Sequence, residues 1–520
     1  MKVLVYNWVQ FDVAGEGGGV STYLRQTLPV LAEIPGWKVT FLSSGGVYDG
    51  FNRTCRYRPT SNRLKHRGVL SFEIVNSPIK APAHDSVSII GECLDNRASA
   101  DTFLRMMEET GPYDAVILHN VEGISTLTLE LIKQRTQAAL VLFLHNYHLV
   151  CPQIELLRDF RDHCHDNHGG RDCVGCFGHL IDTRRAKMAR AVINVMDRTR
   201  ISGTGLEGVV RSTVGHGFGW ASDMAGAVRD VLRNRKTSGG PKLPRWQRSM
   251  ENLDDSILEL ADRSRDFRRW REENVARVNA CADAVITVSN RQRAQLIARG
   301  LDSALMKTIH LGFDFHVDQA VREKRYEQKM RKDGPLRLGF FGYAIPSKGL
   351  AMLVEALEDA GLWARQVELW IVCRQDDQIM RRLARLSDRL AAVRWIDGYA
   401  QDELPAIVRE IDVGIIPSIW FETYSITAYE LTMSGVPVIM SDSVGFEELV
   451  AKPDFRFRRN DKASLRETLE RLVRNRELIG HYWDGIDRIP SLDDHMRELL
   501  ATLNAAVAMP VPSEERLESR

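Results

Sequence analysis

The sequence predicts an α/β protein made of two successive units, each built around a mostly parallel sheet. Three observations carry this. Short apolar runs alternate with stretches of helical spacing, the order of βαβ units. From about Cys151 to Trp270 the alternation gives way to Arg-rich, partly Gly-rich sequence poor in strand-like runs. It resumes at Ala284, and a second unit begins at Leu336 beyond the charged stretch Val321 to Gly334, so the 520 residues, too many for one ordinary core, divide into two halves.

In the first half, Lys2 to Tyr6 reads as a buried strand, and Gly15-Glu16-Gly17-Gly18-Gly19 follows it. Val20, Leu24, Leu28 and Leu31 then repeat at helical spacing up to Ala32. Lys38 to Leu42 is the next strand. Ala115 to Leu118 and Ala139 to Leu144 are apolar runs that each end at a histidine, and Ala284 to Val288 ends at Ser289. In the intervening insert, basic residues exceed acidic ones by roughly nine between Ile181 and Met250. The insert is expected to be largely helical, with a loop at Thr237 to Pro241. Its Trp220, Trp246 and Trp270 suit either a membrane interface or core anchoring. Val321 to Gly334 is charged and reads as the linker.

The second half starts with the strand Leu336 to Phe341. Val367 to Val372, Val393 to Ile396, Val413 to Ile416 and Val438 to Met440 continue it. Ser491 to Val507 reads as a final helix capped by Ser491, and the tail from Met509 as disordered. The expected domains are 1–320, holding the Cys-containing basic insert 151–270, then 335–483, then the helix 484–507.

Hydrophobic content of 44%, charged content of 27% and a net charge of +1 belong to a globular chain with no global demand for nucleic acid. The apolar start is too short for a signal peptide and no run reaches membrane-spanning length. The expected location is cytoplasmic, with a possible peripheral place at the inner membrane face, where the basic insert would meet anionic lipid headgroups or a lipid-diphosphate acceptor.

Several constellations suit chemistry. Glu422 and Glu430 stand eight positions apart around a helix start, a spacing that lets two carboxylates share one helical face. They lie where a parallel strand gives way to a helix, the usual ligand position in open α/β sheets. Thr423, Tyr424 and Ser425 between them bring hydroxyls and backbone amides to that helix start. Gly18 and Gly19 allow a close backbone approach to phosphate, without the spaced dinucleotide fingerprint. Lys348, after a strand and beside Gly349, suits a diphosphate. His145 ends an apolar strand, and His119 is a second histidine of that kind. Cys151, Cys164, Cys173 and Cys176 lie close in sequence among His163, His165 and His168. Cys173-Val174-Gly175-Cys176 has ligand-like spacing, so a structural zinc is possible, with reduced thiols as the alternative. No Asp-x-Asp triplet occurs.

These motifs resemble glycosyltransferase family 4, retaining nucleotide-sugar enzymes with the GT-B fold of two facing Rossmann-like domains. The resemblance is strongest over Leu336 to Val450. It is fair over Met1 to Pro152 and Ala284 to Asp314. It implies a nucleotide-diphospho-sugar donor and a hydroxyl acceptor, glycan or lipid-linked, in cell-surface polysaccharide or glycoconjugate assembly. No catalytic metal is expected. By the same resemblance His145 and Glu422 face the transferred sugar, Glu430 the ribose, and Gly18, Gly19 and Lys348 the diphosphate. The final helix would cross back to the first domain. Tyr343 stands where the family carries arginine, and Arg374 is the expected substitute. Threonine and serine replace the family's glycines at 423 and 425. Alternatives are a nucleotide-sugar-binding protein of weak or no catalysis, an epimerase or hydrolase on the same fold, and a phosphorylase.

Overall fold

The computed structural model describes residues 1–13, 18–82, 90–158, 161–176, 191, 245–315, 319–329, 334–374, 377–399, 403–486 and 488–508. The expected loop at Thr237 to Pro241, Trp220 and the tail from Met509 lie outside them, as does most of the basic insert.

Two sheets organise the chain. The first has the strand order β10-β9-β6-β5-β1-β2-β4-β3. Its strands are β1 (Lys2–Tyr6), β2 (Lys38–Val47), β3 (Arg56–Pro59), β4 (Leu70–Val75), β5 (Ala115–His119), β6 (Ala139–Leu144), β9 (Ala284–Thr287) and β10 (Met306–Thr308). A small antiparallel hairpin, β7 (Leu157–Arg158) with β8 (Asp162–His163), stands outside it. The second sheet runs β13-β12-β11-β14-β15-β16. It consists of β11 (Leu336–Phe341), β12 (Val367–Cys373), β13 (Ala392–Asp397), β14 (Val413–Ile416), β15 (Val438–Ser441) and β16 (Arg456–Phe457). Every pairing in the two sheets is parallel except β3 with β4. The central strands β5, β6, β11 and β14 are buried along their whole length. That is why they read as continuous apolar runs rather than alternating ones.

Each sheet belongs to one Rossmann-like domain, and the α/β, GT-B expectation is borne out. The last helix, Leu492–Ala508, packs its Met496, Leu499 and Leu503 inward, and Lys307 Nζ donates to Thr502 Oγ1 at 3.1 Å. The C-terminal helix thus lies against the first domain. Asp494 N donates to Ser491 Oγ, which caps it. At the crossing, Phe313 pairs with Ser491 in an isolated bridge. A Cβ on Gly312 would stand 1.9 Å from the Ser491 carbonyl, so this approach needs glycine.

Two expectations change. Residues 321–334 are not a plain linker, because Gln319–Lys329 is a helix. Its Arg322 and Tyr326 are buried, and the Arg322 guanidinium lies 5.9 Å from the Trp483 ring. The charges hid this inner face. The helix Arg245–Cys281 runs well past residue 270. Its Ser264, Phe267, Trp270, Asn274, Val278 and Cys281 are buried at spacings of three and four. Trp270 is a core anchor against His148, not an interfacial residue.

Candidate active site

The cleft between the domains holds a cavity of about 270 Å³. From the first domain, Gly19, Val20 and His145 line it. From the second come Tyr343, Lys348, Ser418, Trp420, Glu422, Thr423, Tyr424 and Ser425. Gly19 and Val20 lie at the start of the helix Gly18–Glu33 that follows β1, and the others follow the carboxyl ends of β6, β11 and β14, where strands give way to turns and helices.

Glu422 is 6% exposed, which would be unfavourable for a carboxylate without partners. Lys348 Nζ approaches its Oε1 at 2.6 Å and Ser418 Oγ donates to its Oε2. The Lys348 ammonium also lies 5.6 Å from the centre of the Trp420 ring. Lys348 is positioned by a turn that only glycine permits. Gly349 has φ +73°, and a Cβ there would meet the Pro417 carbonyl at 1.8 Å. Glu155, from the loop after β6, lies near Lys348 and Glu422, and burial raises its carboxyl above the usual range.

The helix Ile426–Met433 begins at Ser425, whose hydroxyl accepts from Ala428 N. Ser425 adopts φ +87°, the left-handed region where glycine is at ease. Glu422 therefore lies in the loop before this helix. The helical-face argument for pairing it with Glu430 does not hold, since only Glu430 is helical. Glu430 is buried but does not line the cavity. It lies close enough to Tyr399 to help burial raise that phenol. The Tyr424 hydroxyl is committed to the Leu311 carbonyl.

His145 is enclosed by aromatics. Phe143 stacks on it at 4.7 Å and Tyr23 lies 5.3 Å away. Its Nε2 lies 2.9 Å from His119 Nδ1. Burial, reinforced by nearby His495, pushes His145 down to about 3, and burial also holds His119 well below the usual imidazole value. Both rings are neutral near pH 7.

Gly19 lines the cavity, while Gly18, the first residue of the same helix Gly18–Glu33, has φ +51° and does not. Arg374 is exposed and is not a lining residue. Tyr343 does line the cavity and is 57% exposed. Among the described residues Lys348 is the one lysine or arginine that lines it.

Cys151, Cys164 and Cys173 are buried and Cys176 is half-buried, all as free thiols. Cys164 Sγ bonds the Asp166 carbonyl, Cys173 accepts from Asn167, and Cys176 bonds the Leu157 carbonyl. Burial raises Cys151 to about 11 and Cys173 to about 12. Among the described residues, no group of three or more His, Cys, Asp or Glu is arranged to hold a metal ion. Cys151, Cys164 and Cys173 nevertheless lie close enough for their thiols to influence one another. The loop that carries them does reach the second domain. His163 packs on Phe421 at 4.1 Å, and Asn460 Nδ2 donates to the Arg161 carbonyl.

Sequence reasoning missed Glu155 and Trp420, and it missed Tyr23 as a neighbour of His145. Ser418 stands two positions past the strand Val413–Ile416, and nothing in the sequence joined it to Glu422.

Residues 335–475 match the family model "Glycosyl transferases group 1". A curated phosphatidyl-myo-inositol mannosyltransferase of Mycobacterium leprae is 26% identical over 223 residues, 42% of this chain. The match spans 54% of that relative, about half its length. Among solved structures, HepE of Anabaena in complex with UDP has a TM-score of 0.53 at 14% identity, covering 97% of this chain and 100% of its own. The α,α-trehalose 6-phosphate synthase of Burkholderia multivorans has a TM-score of 0.54 at 11% identity, with 98% and 97% covered. The sucrose-phosphate synthase of Thermosynechococcus elongatus has 0.52 at 14% identity, with 97% and 99% covered. At these identities the solved structures speak for the fold.

Proposed function

We propose that this chain, whose residues 335–475 belong to the glycosyl transferases group 1 family, moves a sugar from a nucleotide-diphospho-sugar to a hydroxyl acceptor. The carrying observation is the Lys348–Glu422 pair in a cleft walled by both domains. The cation is the leaving diphosphate's counter-charge, and the carboxylate accepts sugar hydroxyls. The start of the helix Ile426–Met433 adds partial positive charge on the same side. His145 contacts the sugar from the first domain, and Glu430 serves the ribose. Enclosure between the domains holds the acceptor hydroxyl near the anomeric carbon and limits water, which would otherwise hydrolyse the donor.

The finer reading is a retaining, family 4 hexosyltransferase in cell-surface polysaccharide or glycoconjugate assembly, using a glycan or lipid-linked acceptor at the inner membrane face. The support for a nucleotide-sugar donor includes the UDP held by the HepE neighbour. No helix among the described residues is long and apolar enough to cross a membrane. The test is incubation with a panel of nucleotide-sugars and acceptors, with product anomers read by NMR. Turnover lost in Lys348→Ala and Glu422→Gln supports the reading, and an inverted product removes the retaining assignment.

One observation favours a second reading, donor binding with weak turnover. Tyr343 occupies the expected arginine position, and Arg374 is exposed outside the cavity. Donor-induced thermal stabilisation without turnover on any acceptor would select it.

A further inference from the structure

A second cavity, of about 450 Å³, opens where the helix Arg245–Cys281 packs against the segment His168 to Arg171. The two are clamped together at Gly170, where a Cβ would stand 2.0 Å from the Ser264 carbonyl. Ser264 and Arg268 are four positions apart on the helix, and Arg265 stands beside them, so all three border the same space. His168 and Arg171 border it from the other side. None of these residues lines the cleft cavity.

Among the described residues, the lining carries three guanidiniums and one imidazole, and no carboxylate. Arg171, Arg265 and Arg268 are exposed. Their present partners hold them loosely. Arg265 lies 3.2 Å from Asp262 and Arg268 lies 4.0 Å from Glu272, in pairs more than half exposed on both sides. Such pairs contribute little, so a ligand can displace them. Arg171 Nε reaches the His168 carbonyl at 3.4 Å. His168 Nδ1 lies 2.9 Å from Asp172 Oδ2.

Ser264 is an independent sign. It is 7% exposed, and its hydroxyl has no hydrogen-bond partner. A helical serine can spend that hydroxyl on the carbonyl four residues back, and this one does not. A buried hydroxyl without a partner is unfavourable, and an oxygen acceptor in the cavity would relieve it. The acceptor's class follows from the cations. One guanidinium satisfies a carboxylate through two parallel bonds. Three of them around one space suit a group with more acceptor oxygens and more charge.

We propose that this cavity is a phosphate-binding site, with Arg171, Arg265 and Arg268 as its cations and Ser264 as its hydroxyl. The phosphate belongs either to a soluble phosphorylated molecule or to an anionic lipid headgroup. The site does not depend on what the cleft between the domains does.

The full chain is titrated with inorganic phosphate by calorimetry. It is also co-sedimented with vesicles of phosphatidylcholine, alone or mixed with phosphatidylglycerol. The cavity variant is Arg265→Gln with Arg268→Gln. The control is Arg474→Gln with Arg497→Gln, which removes the same charge from two exposed positions elsewhere. Wild type and control should bind inorganic phosphate or the phosphatidylglycerol vesicles. The cavity variant should bind that probe at least about tenfold more weakly, as for loss of charge-assisted contacts. Binding of inorganic phosphate assigns a soluble ligand, and binding of the anionic vesicles alone assigns a headgroup. The proposal is overturned if wild type binds neither probe, if the cavity variant binds as wild type does, or if the control loses as much. Should the cavity variant unfold, Arg171→Gln, which lies off the long helix, gives the same reading.

Discussion

The hydroxyl of Thr423 donates to the carbonyl oxygen of His145 at 2.8 Å, joining the donor-side loop of the second domain to the end of β6 in the first. The bond crosses the cleft within its lining, so the two candidate ligand-contacting segments hold each other directly. Thr423→Val should remove the bond while keeping the shape. Stability should drop by about 1 kcal/mol, the usual net value of such a bond, and donor affinity should weaken with it. Urea unfolding and calorimetric titration with the donor check both, and unchanged affinity would argue that the bond plays no part in closure.

Lys348 should prove the strongest single contributor to donor binding. Replacing it by Met removes a charge-assisted contact worth about 1.5–3 kcal/mol, or roughly 10- to 100-fold in affinity. It also leaves Glu422 buried with Ser418 as its remaining partner. Thermal shift with free nucleoside diphosphate reads the effect. Equal stabilisation of wild type and variant would remove the diphosphate role.

Gly349→Ala should destabilise the protein by about 1–3 kcal/mol and lower donor affinity. The residue combines φ +73° with a Cβ position 1.8 Å from the Pro417 carbonyl, so the Lys348 turn must shift. Gly361→Ala has only ordinary contacts with Trp363 and serves as the control.

Ser425→Gly should raise stability by a few tenths to about 1 kcal/mol. It relieves the left-handed backbone at φ +87° and loses little as an N-cap, where glycine is nearly as good. A fall in melting temperature would mean that the Ser425 cap to Ala428 matters more than the backbone strain.

Acid should unfold this protein early. Burial first of all lowers His145 to about 3 and His495 to about 4, and holds His119 well down. Their neutral forms are favoured in the fold, so stability is full above the unfolded value of about 6.5. It is lost as pH falls from there toward 4, because the unfolded chain takes up protons that the native one refuses. Each ring adds a slope of about 1.4 kcal/mol per pH unit in that window. Calorimetry at pH 5 in buffers of differing ionisation enthalpy should find about one proton fewer taken up on unfolding in His119→Asn. An unchanged count would refute the assignment for His119.

Most of the sheet scaffold was legible, because a strand covered on both faces must be apolar throughout. Leu336 to Phe341 and Ala139 to Leu144 carry that signal without ambiguity. The edge strands Arg56–Pro59 and Arg456–Phe457 escaped, since a short, half-exposed edge has no such constraint. The helix Gln319–Lys329 escaped too, because its buried arginine looked like solvent-facing charge.

The candidate site divides in the same way. The sequence by itself determined which residue types stand at the strand ends, namely Lys348, Glu422 and His145, since strand-to-helix turns are local and leave marks in local sequence. Only the tertiary structure decided that Lys348 pairs with Glu422, that Glu422 lies before the helix rather than on it, that Arg374 stays out of the cavity lining, and that the His119 and His145 rings meet. The two pairings, His119 with His145 and Lys348 with Glu422, join positions 26 and 74 residues apart in the chain, and a pairing set by packing has no periodicity for a sequence to display.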